Sequence, residues 1–116
     1  MPEFCIDEVN TTGIISAMDI HFELSGMSFI WNDKKAGINP QKHDGITFQQ
    51  AATVFFDPLF RVVDASRQDE ARDAVIGFDA SGRLLFVVHI EIEDTSIRII
   101  SARKATNEER RDHEHS

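Results

Sequence analysis

Three pairs of residues in the sequence have the side chains that handle protons and phosphate groups. They are Lys42 with His43, Glu70 with Arg72, and Arg98 with Arg103. Histidine suits proton transfer because its ordinary pKa is about 6.5, and the arginine fork binds phosphate through two parallel hydrogen bonds. Together these residue types could bind a phosphodiester and move protons around it.

The first two pairs also have structural interpretations. Lys42 and His43 would be favourable at the end of a helix, where the dipole attracts cations. Glu70 and Arg72 are two positions apart and would share one face of a strand. A surface ion pair between them would contribute about 0–1 kcal/mol.

The third pair lies in an apolar segment, residues 96–103, that predicts a strand. On a regular strand Arg98 and Arg103 point to opposite faces, so only a bulge or the strand end would bring both into one site. The structural alternative for either arginine is an ion pair across the preceding turn. Its candidate partners are Glu91, Glu93 and Asp94.

The remaining histidines and the tryptophan are weaker candidates. His89 and Trp31 lie among apolar residues and are interpreted as core residues. His21 lies on the exposed face of a strand that is predicted from alternating polar and apolar residues, and we assign it no chemical role. His113 and His115 are too few for a zinc motif.

Composition limits the class of protein. The chain has 116 residues, which fits one domain. The single cysteine, Cys5, cannot form an internal disulfide, which is consistent with a reducing cytosol. The sequence contains neither a run of about 18 apolar residues nor a basic, apolar leader, so we expect a cytoplasmic protein without a membrane segment.

The net charge of -8 argues against general affinity for nucleic acid, but the charge is unevenly distributed. Residues 1–26 contain five acidic residues and no Lys or Arg, whereas residues 27–116 contain all 12 basic residues. We therefore divide the chain into an N-terminal extension, 1–26, with an edge strand, and a domain, 27–116. This distribution permits a local anion site that depends on a few arginines.

Local patterns predict the elements of the first half. Polar and apolar residues alternate over 19–24, which is typical of a strand. A turn at Ser25-Gly26 and an apolar segment over 27–31 follow, so we predict a hairpin. Residues 33–42 predict a helix broken near Asn39-Pro40, because proline lacks the amide hydrogen. A capping box at Thr47 predicts a helix over about 48–56.

The second half predicts a series of strands and a last helix. The strands span residues 59–64, 74–78, 83–92 and 96–103. Thr106 and Glu109 form a second capping box that begins a short helix. The order predicts an α+β fold, an antiparallel β-sheet with helices packed on one face.

An ordered set of short motifs resembles the BrnT toxins of bacterial type II toxin–antitoxin systems, which have the RelE-like ribonuclease fold. The strongest motif is Ile97-Arg98-Ile99-Ile100-Ser101-Ala102-Arg103. The other matching stretches are Phe29-Ile30-Trp31-Asn32, Lys35, Asn39, Lys42-His43, Phe48, Ala51-Ala52, Val54-Phe55-Phe56-Asp57-Pro58, Glu70, Arg72, Ile76-Gly77, Gly82-Arg83-Leu84-Leu85, Val87-Val88-His89, Ala105 and Glu109-Arg110. About 88 of the 116 residues are covered.

Two segments depart from the family pattern. Asp44-Gly45-Ile46-Thr47 has one residue more than usual before Phe48, and Asp69-Glu70-Ala71-Arg72 replaces Gly-Glu-Glu-Arg. These departures and the acidic charge motivate an alternative function, a non-catalytic protein-binding module of toxin-like fold.

The resemblance implies a metal-independent endoribonuclease that inhibits translation and needs no cofactor. In such enzymes the ribose 2′-oxygen attacks the adjacent phosphate. The catalytic residues implied are Lys42, His43, Glu70, Arg72, Arg98 and Arg103. The implied partners are RNA and a BrnA-like ribbon–helix–helix antitoxin, which forms a hetero-oligomer with the toxin and binds operator DNA.

Overall fold

The computed structural model describes residues 18–93 and 96–115, which form an α+β domain. In chain order its elements are β1 (Asp19–Leu24), β2 (Met27–Asn32), α1 (Asp33–Lys42), α2 (Phe48–Thr53), a 3-10 turn (Val54–Phe56), β3 (Arg61–Asp64), β4 (Asp73–Phe78), β5 (Leu84–Ile92), β6 (Ser96–Lys104) and α3 (Asn107–Glu114). In these described ranges no helix is long and apolar enough to span a membrane.

The strands form one sheet in the order β1-β2-β6-β5-β4-β3. All neighbours are antiparallel except β2 and β6, which run parallel. The predicted antiparallel sheet is therefore confirmed except for this one pair. The chain between β2 and β6 contains two helices and three strands, which is long enough to cross over and make a parallel pair.

The main core lies between one face of the sheet and helices α1 and α2. Trp31, Phe48 and Ile99 are among its fully buried side chains. Trp31 is therefore a core residue, as the sequence predicted. Its ring packs edge-on against Phe48, with the centroids 5.8 Å apart.

Helix α3 lies on the opposite face, which we call the outer face. His113 of α3 packs edge-on against Phe78 of β4, and Arg61 of β3 donates to the carbonyl of Asp112 at 2.7 Å. The prediction that all helices pack on one face was therefore wrong. The outer side of β4 and β5 is also apolar, with Ile76 and Leu84 buried, and α3 shields this part of the sheet.

Helix α1 continues through Pro40 to Lys42, although the sequence predicted a break near Asn39-Pro40. The reason is a tertiary contact of Asn39, whose side chain is 5% exposed. Its amide nitrogen donates to the carbonyls of Ile46 and Ala102 at 2.9 Å, and its oxygen accepts from the Ala102 amide at 3.2 Å. These bonds tie the last turn to β6, which offsets the bond that proline cannot make.

The other local predictions are confirmed. Both capping boxes form, at Thr47 with Gln50 and at Thr106 with Glu109. The two-residue turn between β1 and β2 has Ser25 and Gly26 at positive φ, as a tight hairpin turn requires. Strand β1 lies at an edge of the described sheet, as predicted for the N-terminal extension.

His89 on β5 is buried against Phe55, with their ring centroids 4.9 Å apart, as predicted for a core histidine. Burial lowers its pKa from 6.5, although the Val87 carbonyl, Asp73 and Glu91 oppose this effect. Below about pH 6.5 this histidine is protonated in the unfolded chain, whereas its lowered pKa keeps it neutral in the folded protein. We therefore expect the free energy of unfolding to decrease as the pH falls.

Replacing His89 by phenylalanine is expected to remove this contribution. Urea unfolding at about pH 7.5 and about pH 5.5 should show a loss of stability in acid that is about 1 kcal/mol smaller in the variant. Equal losses in both proteins would mean that His89 does not carry the dependence.

Candidate active site

A bulge in β6 brings the predicted arginines to one side of the sheet. Val88 pairs with Ser101 and His89 pairs with Ile99, so Ile100 is an extra residue with no partner on β5. The extra residue reverses the alternation of side chains. Residues opposite each other on antiparallel strands share a face, so Arg98, which pairs with Ile90, and Arg103, which pairs with Phe86, both lie on the outer face.

Arg98 is held on the outer face by a carboxylate of the N-terminal hairpin. Its two terminal nitrogens donate to the two carboxylate oxygens of Asp19 at 3.3 and 2.8 Å. The hydrogen bond from Arg98 lowers the pKa of Asp19. The Arg98 side chain remains 30% exposed. The sequence had offered acids across the β5–β6 turn as its partners, of which Asp94 lies outside the described residues.

Glu70 and Arg72 form an ion pair with each other. They lie in the loop before β4, which begins at Asp73, so the strand predicted for them as an alternative is not formed. The Nε atom of Arg72 is buried and has no hydrogen-bond partner among the described residues. The Arg72 guanidinium is therefore only partly paired.

Arg72 lies close to Arg98 in the sheet register. Asp73, the residue after Arg72, pairs with His89, and the next residue on β5, Ile90, pairs with Arg98. Arg72 therefore enters the sheet close to the line across the strands that contains Ile90 and Arg98. Two strand spacings separate the arginine backbones, which is about 10 Å. We call Arg72 and Arg98, on either side of Ile90, the arginine row.

Arg103 has a different environment. Its guanidinium lies over the ring of Phe86, 4.1 Å from the centroid, and its terminal nitrogens donate to both oxygens of Glu109 at 2.9 Å. These hydrogen bonds lower the pKa of Glu109. Because Glu109 belongs to α3, Arg103 attaches that helix to the outer face.

Lys42 and His43 lie at the end of α1, as their structural interpretation predicted. His43 is half-buried, and its pKa is lowered by burial first and then by the charges of Lys42 and Arg103. The contact of Asn39 with Ala102 and the approach of Asp44 to Lys104 place the end of α1, and with it His43, beside the end of β6 that contains Arg103. We call Lys42, His43 and Arg103 the helix-end cluster.

The segment after His43 contains the extra residue that the family pattern lacks. Asp44 and Gly45 both have positive φ, so the additional residue is taken up in a tight turn. The Gly45 amide donates to the carbonyl of Pro40 at 2.8 Å, and Lys104 lies 3.9 Å from Asp44. The turn therefore keeps His43 next to the helix end.

The six predicted residues thus form two groups rather than one. Arg103 pairs with Phe86 and Arg98 pairs with Ile90. Four positions on β5 separate these partners, which corresponds to about 13 Å along the strand. The arginine row, to which Glu70 is attached by its ion pair with Arg72, lies along the outer face. Of the helix-end cluster, Arg103 lies on that face, whereas Lys42 and His43 end helix α1, which packs on the other face.

Sequence reasoning missed two neighbours of the arginine row. Asp19 was not identified as a partner of Arg98, and His21 was given no role. His21 pairs with Ile30, and Ile30 pairs with Arg98, so the histidine lies in the same line across the sheet. The alternation of residues 19–24 was the available signal, but it did not show which strand β1 and β2 would join.

The described residues offer no group of three or more His, Cys, Asp or Glu side chains that could hold a metal ion. His113 is buried on the outer face, where it packs against Phe78.

Comparison with known proteins adds to this geometry. No curated protein matches the chain. A family model described as the ribonuclease toxin BrnT of type II toxin–antitoxin systems matches residues 31–109. The match includes α1 with Lys42 and His43, the Glu70–Arg72 loop and the whole of β6. The chain therefore belongs to the BrnT family of ribonuclease toxins of type II toxin–antitoxin systems.

Proposed function

We propose that the outer face is the active site and that the arginine row binds the phosphate at which RNA is cut. The observation that carries this proposal is the bulge at Ile100, which leaves Arg98 on the same face as Arg103 and in line with Arg72. A partly exposed arginine that is fixed by strand pairing, as Arg98 is, can stabilise a phosphate as its negative charge increases. We also propose that residues 27–116 form a RelE-like domain.

The reaction that fits these side chains is a metal-independent transfer within the RNA. The 2′-oxygen attacks the adjacent phosphorus, the bond from phosphorus to the 5′-oxygen breaks, and a 2′,3′-cyclic phosphate remains. Glu70, beside Arg72, is suited to accept the 2′-hydroxyl proton, and a proton must reach the departing 5′-oxygen. No cofactor takes part.

The helix-end cluster would contact a second position on the same RNA strand. The lowered pKa of His43 favours its neutral form near pH 7, in which it can accept a proton. Lys42 and Arg103 add positive charge beside it.

A type II toxin requires an antitoxin, and we propose that it is a BrnA-like ribbon–helix–helix protein that forms a hetero-oligomer with this chain and binds operator DNA. Covering the arginine row would block RNA binding directly. We place both proteins in the cytoplasm, where their RNA substrate is found. The alternative function, a non-catalytic binding module, is less favoured because the family that matches residues 31–109 consists of ribonuclease toxins.

Cleavage of RNA by the purified chain in excess EDTA tests the mechanism. We expect cleavage to continue, to leave 2′,3′-cyclic phosphate ends, and to stop at a site where the 2′-hydroxyl is replaced by hydrogen. Loss of activity in EDTA, or cleavage at the deoxy site, would contradict the proposal.

A further inference from the structure

The outer face already contains an anion at the place where the phosphate is proposed to bind. The carboxylate of Asp19 makes two hydrogen bonds to the two terminal nitrogens of Arg98. A phosphate that used the same fork would need the same two nitrogens. We propose, on the basis of the function above, that Asp19 competes with RNA for Arg98 and thereby lowers the affinity of the protein for RNA.

The position of Asp19 does not depend on the ion pair. Asp19 lies in β1, where it pairs with Asn32 of β2. The carbonyl of the preceding residue, Met18, accepts a hydrogen bond from the Asp33 amide at 3.0 Å. When a phosphate displaces the carboxylate, the backbone of Asp19 therefore stays beside Arg98, and the competitor remains at high local concentration.

Strand β1 lies before the part of the chain that the family model matches. Strand β1 ends at Leu24, whereas the family match begins at residue 31. Asp19 is half-exposed and carries its negative charge at neutral pH, because Arg98 and the nearby His21 both lower its pKa. The competing anion is thus a property of this chain's own N-terminal hairpin.

Competition adds the same cost to the binding of short and long RNA. A single phosphate exchanges one anion for another at Arg98 and gains little binding energy. An RNA strand that also contacts the helix-end cluster, about 13 Å away, gains further contacts and can bind despite the competition. Removing the carboxylate of Asp19 should therefore raise the affinities for a mononucleotide and for an oligonucleotide by the same factor.

Binding of 2′-O-methyl RNA, which lacks the attacking hydroxyl, measures this effect without cleavage. The variant Asp19→Asn is expected to bind a 2′-O-methyl mononucleotide about two- to five-fold more tightly than the unsubstituted chain, as an exposed ion pair allows. The gain for a 2′-O-methyl oligonucleotide should be of the same size. Glu23→Gln is the matched control, because Glu23 is also on β1 but accepts from Ser28 rather than from arginine.

The same substitution in an Arg98→Ala background separates competition from a general effect of charge. A gain from Asp19→Asn that disappears in this background supports the proposal. No gain, a gain equal to that of Glu23→Gln, or the same gain without Arg98 overturns it. If the gain in binding depends on Arg98 but the chain cleaves no RNA, only the proposed ribonuclease mechanism is contradicted. If RNA is cleaved but Asp19→Asn binds RNA no better, only the proposed competition is contradicted.

Discussion

Replacing Arg98 by alanine is expected to abolish growth arrest when the chain is produced without an antitoxin, while the protein stays folded. Loss of one preorganised donor to a transition-state oxyanion typically lowers the rate about 100- to 1,000-fold. The ion pair with Asp19 is partly exposed, so its loss should cost no more than about 1 kcal/mol of stability. Growth after induction, at equal soluble amounts of protein, measures the effect.

Two further variants make this result specific. Arg111→Ala removes the same charge from an exposed position in the last turn of α3 and should leave growth arrest intact. Arg98→Lys keeps the charge but loses the bidentate hydrogen-bonding geometry. Its growth arrest should therefore be intermediate between that of Arg98→Ala and that of the unsubstituted chain. Full growth arrest by Arg98→Ala would mean that the arginine row is not the active site.

Replacing Asn39 by alanine is expected to destabilise the fold by about 3 kcal/mol, because it leaves buried backbone groups of Ile46 and Ala102 without partners. For a domain of this size that corresponds to a decrease in Tm of about 10 °C. Since Asn39 ties the end of α1 to β6, the variant should also separate His43 from Arg103. Thermal unfolding followed by circular dichroism measures the first effect.

The matched control is Gln41→Ala, in the same turn of α1. Gln41 is exposed and its side chain makes only a 3.4 Å contact with the Gly37 carbonyl. We expect its free energy of unfolding to change by no more than about 0.5 kcal/mol, which is typical of surface substitutions, so its Tm should stay close to that of the unsubstituted chain. Equal Tm values for the two variants would show that the buried amide does not anchor the helix.

The elements that could be predicted from the sequence depend on local signals. The capping boxes at Thr47 and Thr106 and the turn at Ser25-Gly26 involve residues at most three positions apart. Such contacts form within a short segment, whatever the rest of the chain does. The hairpin and the beginnings of α2 and α3 were therefore predicted correctly.

The features that were missed depend on contacts between distant segments. Asn39 holds α1 past Pro40 through Ala102, which is 63 positions away. Arg98 finds its partner, Asp19, 79 positions away. Neither pairing has a signature in local periodicity, and the face on which α3 packs likewise follows from long-range contacts, those of Asp112 with Arg61 and of His113 with Phe78.

The candidate site residues were selected by residue type, and the sequence did not predict their arrangement. The sequence indicated that only a bulge or the strand end could bring Arg98 and Arg103 to one face, and the bulge at Ile100 does so. It did not show that Arg103 would be paired with Glu109, nor that His43 would lie nearer to Arg103 than to Arg98. The division into an arginine row and a helix-end cluster follows only from the register of β4, β5 and β6.

The cleavage rate of purified Arg98→Ala, measured beside Arg111→Ala on one RNA in EDTA, tests most directly whether the arginine row is the active site. We predict a rate about 100-fold or more below that of the unsubstituted chain for Arg98→Ala, and a rate within about two-fold of it for Arg111→Ala. Equal rates for the two variants, with both proteins folded, would contradict the assignment.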